Sequence, residues 1–485
     1  MPRSSRSTRS PLSSRSSRPS LSRLALTLPA AAGALALMAP HAVATSTPAQ
    51  IAAATGYGVG YLKSLQAADG SYAGPGLSNE WAFTAFAAAG TAVADVAPGG
   101  DQSKNARTVY RALLSSPGWP VSSTPPVTDF ERAALNAYAA GIDPARVSAS
   151  RNLIADIYGY WQSAEDGYFG PSASFNGTVF GALALAGAKT QTGAQRVPKA
   201  VLDRTVTRIR ANQHNDGGWN FSKAEGDPAQ LGAPSDIDMT GAAMAALCSS
   251  GVPATDPDIV QARTFLKNKM VAASGGFNSM FGANVNSNGW AVSGLNACGI
   301  NPQTGDFVST FGRTPVDFLI GLQFQPAGGF RYKPGDASPT AYGSIDALRA
   351  VAGGGFTSAP AQPVTAGVPR WVAQPSFTAG TTAKVALSVD TGTGSPKVCA
   401  VSFTPTGPTA TLGEVLAAAT GGATPAGCVT AVLPSSGTGT VTSLNGLANS
   451  GGSTWKASVD GSALTGATRG RVINVGDTVA LRYGS

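Results

Sequence analysis

Two aspartates in the run Asp236-Ile237-Asp238-Met239-Thr240 are the residues best placed for proton chemistry. A carboxyl that donates a proton near neutral pH must be desolvated or hydrogen-bonded so that it stays protonated. This run opens an Ala-rich stretch, and the positive end of a helix dipole favours the carboxylate instead. Asp236 and Asp238 are therefore expected to be ionised, as helix caps or as a polar rim. No residue is assigned a catalytic role, and the reading leans away from an enzyme. His41 and His214 are the only histidines, and there is no Cys-x-x-Cys, which argues against a zinc site of the usual kind. The four cysteines fall into two local pairs. Cys248 and Cys298 stand three and one residues before glycines that end neighbouring repeats, and Cys399 and Cys428 flank one helical stretch. Two disulfides are expected; two buried free thiols are the alternative for Cys248 and Cys298.

The elements that must position these residues recur. Glycine precedes an aromatic at Tyr72, Trp119, Phe169, Trp219, Phe277 and Phe330, about 50 residues apart each time. Each copy has a helical stretch with Lys and Arg, the turn, a polar loop, and an Ala-rich helix. Those helices stop at Gly90, Gly141, Gly187, Gly251, Gly299 and Gly353. The small-residue helices suit an inner ring and the charged ones an outer ring. The expected fold is an all-α (α6/α6) toroid over residues 51–353. Counting back from the terminal glycines aligns the starts of the inner helices. They place Asn79, Asn176, Asp236, Asp238, Thr240, Asn288 and Tyr342 at one mouth, a polar rim over an apolar floor. Capping alone accounts equally for such residues at helix starts.

Beyond the toroid, residues 354–378 carry Pro360, Pro363, Pro369 and Pro375 and read as a linker. Short alternating runs then predict strands at 384–389, 397–403, 429–433, 438–444, 454–459, 471–475 and 478–483, with a helix at 412–420. Residues 379–485 are thus expected to form a small α+β, β-rich domain. A linker of that length could bring it back over the mouth, with Trp455 as an apolar contact.

The net charge of +8 does not signal nucleic acid. Six arginines precede residue 50, the first acid is Asp69, and the rest of the chain carries +2. No basic run remains to follow a phosphate backbone. The arginines lead into an uncharged apolar run at 24–38 and a small-x-small site at Ala42-Val43-Ala44, so residues 1–44 read as an export signal. The run is short for a membrane span and bounded by prolines. A secreted, extracellular protein that does not span the membrane is expected.

The glycine-aromatic turns and helix pairs resemble the prenyltransferase/squalene-oxidase repeat of the terpenoid cyclase-like toroids. The segments Thr411-Leu412-Gly413-Glu414, Trp455-Lys456-Ala457-Ser458-Val459-Asp460-Gly461 and Val475-Gly476-Asp477-Thr478-Val479 resemble the domain that ends transcobalamin-type proteins. The order of regions is similar to that of transcobalamin and intrinsic factor, which hold cobalamin between two domains. That resemblance implies a small ligand between toroid mouth and C-terminal domain, a corrinoid or a lipid-like molecule. Cobalamin is a candidate ligand, with no cofactor established, and His214 alone does not establish coordination of cobalt. Asp236-Ile237-Asp238-Met239-Thr240 also resembles the cyclase Asp-x-Asp-Asp-Thr motif, with Met239 in place of its last Asp. This implies a second reading, a squalene-type cyclase with Asp238 as acid. A third is an extracellular interaction module with a cell-surface partner. Protein prenyltransferase activity is excluded by the missing Cys/His zinc ligands.

Overall fold

A computed structural model of the chain describes residues 45–72, 81–171, 173–434 and 437–485. The expected export signal at 1–44 and the rim residue Asn79 lie outside the described residues. Fourteen helices are described: α1 (Pro48–Ser64), α2 (Ala82–Ala88), α3 (Ala106–Ser115), α4 (Val127–Ala139), α5 (Leu153–Tyr158), α6 (Phe175–Gly187), α7 (Lys199–Ala211), α8 (Pro228–Leu231), α9 (Ile237–Ser249), α10 (Pro257–Lys269), α11 (Val285–Ala297), α12 (Pro315–Gly321), α13 (Ala341–Val351) and α14 (Leu412–Gly422). Helix starts follow side-chain chemistry. Thr47 opens α1 with a capping box to Gln50, and Thr314 opens α12 with one to Asp317.

The Ala-rich helices pack in succession. α2 packs on α4, α4 on α6, α6 on α9, α9 on α11, α11 on α13, and α13 returns to α2. α1, α3, α5, α7, α10 and α12 pack against members of that cycle from the other side. In α6 every residue but Asn176 is buried, which suits an element enclosed by neighbours. Glycine allows the tightest crossing, between α9 and α11. A Cβ on Gly294 would stand 2.3 Å from the carbonyl oxygen of Gly241. The disulfide Cys248–Cys298 joins the same two helices at their far ends.

The glycine-aromatic turns are joints between repeats. Gly217 has φ +90, and a Cβ there would stand 2.7 Å from the carbonyl oxygen of Gln261 in α10. In the last four of these turns the aromatic that follows is fully buried and its backbone N–H is caught by the next inner helix. Phe169 donates to Thr178, Trp219 to Thr240, Phe277 to Asn288 and Phe330 to Ser344, at 3.3, 3.1, 2.6 and 2.8 Å.

The C-terminal part is rich in sheet. Its six strands run in the order Ser462–Ala463, Thr454–Val459, Thr478–Gly484, Ala383–Asp390, Lys397–Phe403, Ala423–Thr424, and only the pair Thr478–Gly484 with Ala383–Asp390 is parallel. α14 and the disulfide Cys399–Cys428 complete its core. The strands expected at 429–433, 438–444 and 471–475 shorten to Val432–Leu433, Ser443–Leu444 and Val472–Ile473. Gly439 lies in the part of the second that is lost.

Residues 354–373 are docked along the helices rather than free. Val364 and Thr365 donate to Asp95, Val372 donates to the Gly141 carbonyl, and the ring of Trp371 packs, tilted, on Tyr138 at 5.4 Å. The sheet then packs on α5. Asn152 donates to the Lys384 carbonyl at 3.1 Å, Lys384 pairs with Asp156 at 2.6 Å, and Ala386, Val398 and Ala400 join the helical core.

Candidate functional site

The starts of α9 and α11 frame a cavity of about 720 Å³. Asp236, Asp238 and Ser287 supply its polar wall, and Phe221, Met280 and Phe281 its apolar lip. These three apolar side chains are exposed, Met280 to 82%. Two short strands, Asn278–Ser279 and Gly282–Ala283, present Met280 and Phe281 at the tip of a hairpin.

Asp236 is the N-cap of α9. Its carboxylate accepts from the Met239 N–H at 2.9 Å, while its own N–H bonds the Trp219 carbonyl at 2.8 Å. Asp238 is the second residue of α9 and half-buried. Its Oδ1 is buried without a hydrogen-bond partner. Burial pushes the Asp238 carboxyl up to about 7; Asp236 and Asp346 add to this by repulsion, and the Ser287 hydroxyl opposes it. Burial also raises Asp236. From the sequence both are expected to be ionised, as caps or as a polar rim; Asp238 lies on the polar wall, but its carboxyl is raised toward neutrality. Desolvation and two neighbouring carboxylates outweigh the helix dipole there.

Deeper along α11 and α13 lies a polar layer the sequence reading missed. Asp346 accepts from Asn286 at 2.9 Å and from Arg349 at 2.8 Å, and Arg349 reaches Ser293 at 3.2 Å. Arg349 is fully buried, and its guanidinium lies 4.3 Å over the ring of Phe356. Below it, Phe356 meets Trp290 and Phe180 at 5.4 and 6.1 Å, and Trp81 meets Phe180 at 6.1 Å. Residues 354–357 cross the C-terminal ends of the inner helices, touching Ala88, Ala297 and Ser249. Phe356 therefore plugs the bundle from the end opposite to Asp238. An Asp and an Arg three apart in an otherwise apolar inner helix were the available signal for this layer.

The other rim residues separate by role. Thr240 and Asn288 are fully buried and hold the Trp219 and Phe277 turns, so they anchor repeats and do not line the cavity. Counting from terminal glycines aligned them correctly but could not tell the turn side of a helix from the open side. Tyr342, at the start of α13, is 37% exposed and feels the charges of Asp346 and Asp238. Asn176 is half-buried at the start of α6. Trp455 lies in the C-terminal core, donating to the Leu447 carbonyl at 2.8 Å and packing on Tyr483, away from this cavity. No residue after Ser287 lines the cavity among the described residues, so the C-terminal part does not cover it. The sheet is held instead on α5 and by Arg196, which bonds Asp143 at 2.7 Å and Asp460 at 2.6 Å. No helix among the described residues is long and apolar enough to cross a membrane.

No protein-family model matches the chain, and no curated protein matches it. Among solved structures it is similar to the apo type II terpene cyclase MstE from Scytonema, at 13% identity and a TM-score of 0.44, over 63% of this chain and 98% of that one. It is also similar to haptocorrin in complex with Cbi, at 12% identity and a TM-score of 0.36, over 89% of this chain and 97% of that one. A third is Candida albicans protein geranylgeranyltransferase-I complexed with GGPP, at 16% identity and a TM-score of 0.35, over 47% of this chain and 66% of that one. These are the kinds of protein that the repeat and the C-terminal motifs resemble.

Proposed function

We propose that the chain is an exported ligand-binding protein whose α6/α6 toroid takes a small amphipathic molecule at the mouth formed by α9 and α11. One observation carries this reading: the unpartnered Oδ1 of Asp238 lies on the wall of a cavity with an open apolar lip. A ligand whose polar end meets Asp238 satisfies that oxygen, and its apolar body covers Phe221, Met280 and Phe281. A protonated Asp238 donates to a carbonyl or hydroxyl oxygen, and an ionised one accepts from a donor. The volume fits a ligand of ordinary small-molecule size, roughly 300–1,000 Å³. The distance of the sheet region from this cavity favours a lipid-like ligand over a corrinoid clasped between two regions. The disulfides Cys248–Cys298 and Cys399–Cys428 accord with export through residues 1–44.

The test is displacement of a polarity-sensitive fluorescent dye by fatty alcohols, fatty amines and cobinamide, on the purified mature chain. One-to-one binding of the alkyl series, weakened at least tenfold by Phe281→Ala with Met280→Ala, is the expected outcome. Binding of cobinamide alone, or alkyl binding indifferent to those substitutions, overturns it.

A second reading has its own support. An acid held protonated to about pH 7, above an aromatic floor, has the chemistry to start a carbocation cyclisation. Conversion of squalene or a prenyl diphosphate, lost in Asp238→Asn, would replace the binding reading with this one.

A further inference from the structure

We infer that the groove between α3 and the docked segment 369–373 is a binding site for a small tetrahedral oxoanion, of the phosphate or sulfate type. The groove has a volume of about 470 Å³ and is lined by Arg107, Thr108, Arg111, Ser115 and Ser148 among others. It is separate from the cavity at Asp238 and shares no lining residue with it.

Two other buried arginines face carboxylates, Arg196 with Asp143 and Asp460 and Arg349 with Asp346, while Arg469 meets the Gly437 carbonyl and lines no part of this groove. What distinguishes the groove is a pair of such arginines on one wall. Arg107 is only 7% exposed, yet its Nη1 meets only the carbonyls of Pro369 and Arg370, at 2.8 and 3.2 Å. Arg111 donates through Nε to the Val147 carbonyl at 2.9 Å and through Nη2 to that of Ala373 at 3.5 Å. Neither has a carboxylate within ion-pair distance among the described residues. The acid that Arg107 feels is Asp95, whose oxygens are occupied by the N–H groups of Val364 and Thr365.

Carbonyls supply dipoles, not net charge. Two guanidiniums one helical turn apart therefore stand on the same face of α3, and Asp95 offsets part of the charge at Arg107 from beyond ion-pair distance. Burial pulls both below the ordinary arginine range, and Arg111 adds to the effect at Arg107. The first turn of α3, which carries Arg107, holds no acid, so the helix dipole adds positive potential. A doubly charged oxoanion cancels this charge, and the planar guanidinium fork matches two of its oxygens. The hydroxyls of Thr108 and Ser148 on the groove wall offer further donors, while that of Ser115 is already given to the Arg111 carbonyl at 2.8 Å.

The alternative is that both arginines only staple the segment 369–373 to α3. Titration of the full mature chain with inorganic phosphate and with sulfate, followed by calorimetry and thermal unfolding at constant ionic strength, separates the two. Saturable one-site binding, at least tenfold weaker in Arg111→Gln and weakened in Thr108→Ala, is expected. Acetate, which is planar and singly charged, should bind at least tenfold less well than phosphate. Glycerol phosphate as a further arm distinguishes a free anion from an esterified headgroup: tighter binding than inorganic phosphate assigns the site to the ester. No saturable response to phosphate or sulfate, or the same response in both variants, assigns the arginines to stapling and overturns the proposal.

Discussion

Carboxylates are buried both at the α9/α11 mouth and where the sheet meets the helices, and the two places treat them oppositely. At the junction, Asp143 faces Arg196, Arg196 also reaches Asp460 and the Gly476 carbonyl, and Arg146 bonds Asp477 at 2.7 Å. At the mouth, Asp236 and Asp238 have no cation within ion-pair distance among the described residues. Lys269 lines the same cavity and pairs with neither. Charges that hold two parts of a chain together must be neutralised within the fold, because nothing else neutralises them. Charges left unneutralised beside an open cavity are available to a molecule from outside. The comparison separates structural carboxylates from candidate functional ones without reference to any relative.

The largest effect should come from breaking the junction. Arg196→Ala leaves Asp143 and Asp460 buried without their principal partner, which costs about 3–5 kcal/mol. Urea denaturation of the variant and the parent chain measures this directly. A loss below about 1 kcal/mol would mean that water reaches the junction and that the contrast with the mouth is not one of burial.

Glu131 tests the rule inside the helical part, outside the lining of the α9/α11 cavity. It is fully buried on α4, its two oxygens have no partner, and it packs beside Gly181 and Phe169. Burial raises its carboxyl well above the ordinary value of 4.5. A folded-state value above the unfolded one gives stability that is complete below the unfolded value and lost as pH rises toward the folded one. The parent chain should therefore weaken as the solution is made alkaline. Glu131→Gln, which cannot ionise, should flatten that decline, by about 1–3 kcal/mol at its alkaline end. Parallel pH profiles for the two chains would show that Glu131 does not titrate alone.

Much of the helical framework was legible because it repeats. The glycine-aromatic turns mark the repeats, and at Gly167 and Gly217 the reason is steric: a Cβ there would meet the carbonyls of Arg204 and Gln261 in the following outer helix. The cysteine pairs were legible for the same reason, being set by repeat phase or by flanking one helix. The site was only half legible. Asp236 and Asp238 could be picked out by type and spacing, but the state of Asp238 depends first on its burial in the fold and only in smaller part on charges such as Asp346, more than 100 residues away. Thr240 and Asn288 were misjudged because a polar residue at a helix start can face a turn as readily as a cavity. The seat of the sheet region on α5 was invisible, because it rests on pairs such as Arg196 with Asp460, distant in sequence and without pattern.

The smallest effect is the most informative about the mouth. Asp238 has an ordinary value of 3.8 and is raised to about 7 in the fold. Its stabilising contribution is thus complete below about pH 4 and is lost as pH rises to about 7. At 1.36 kcal/mol per unit the full shift would amount to about 4 kcal/mol. The side chain is only half-buried, and water reduces this to about 1 kcal/mol. Asp238→Asn should match the parent chain near pH 4 and exceed its stability by that amount at pH 8, measured by thermal unfolding across the range. An ionised cap, which is what a helix start alone implies, gives the opposite sign: Asn would then cost stability at pH 8 and leave a deficit that vanishes in acid. The direction of the difference at pH 8 therefore decides whether desolvation or the helix dipole governs this carboxyl, and with it whether the mouth holds a proton for a ligand.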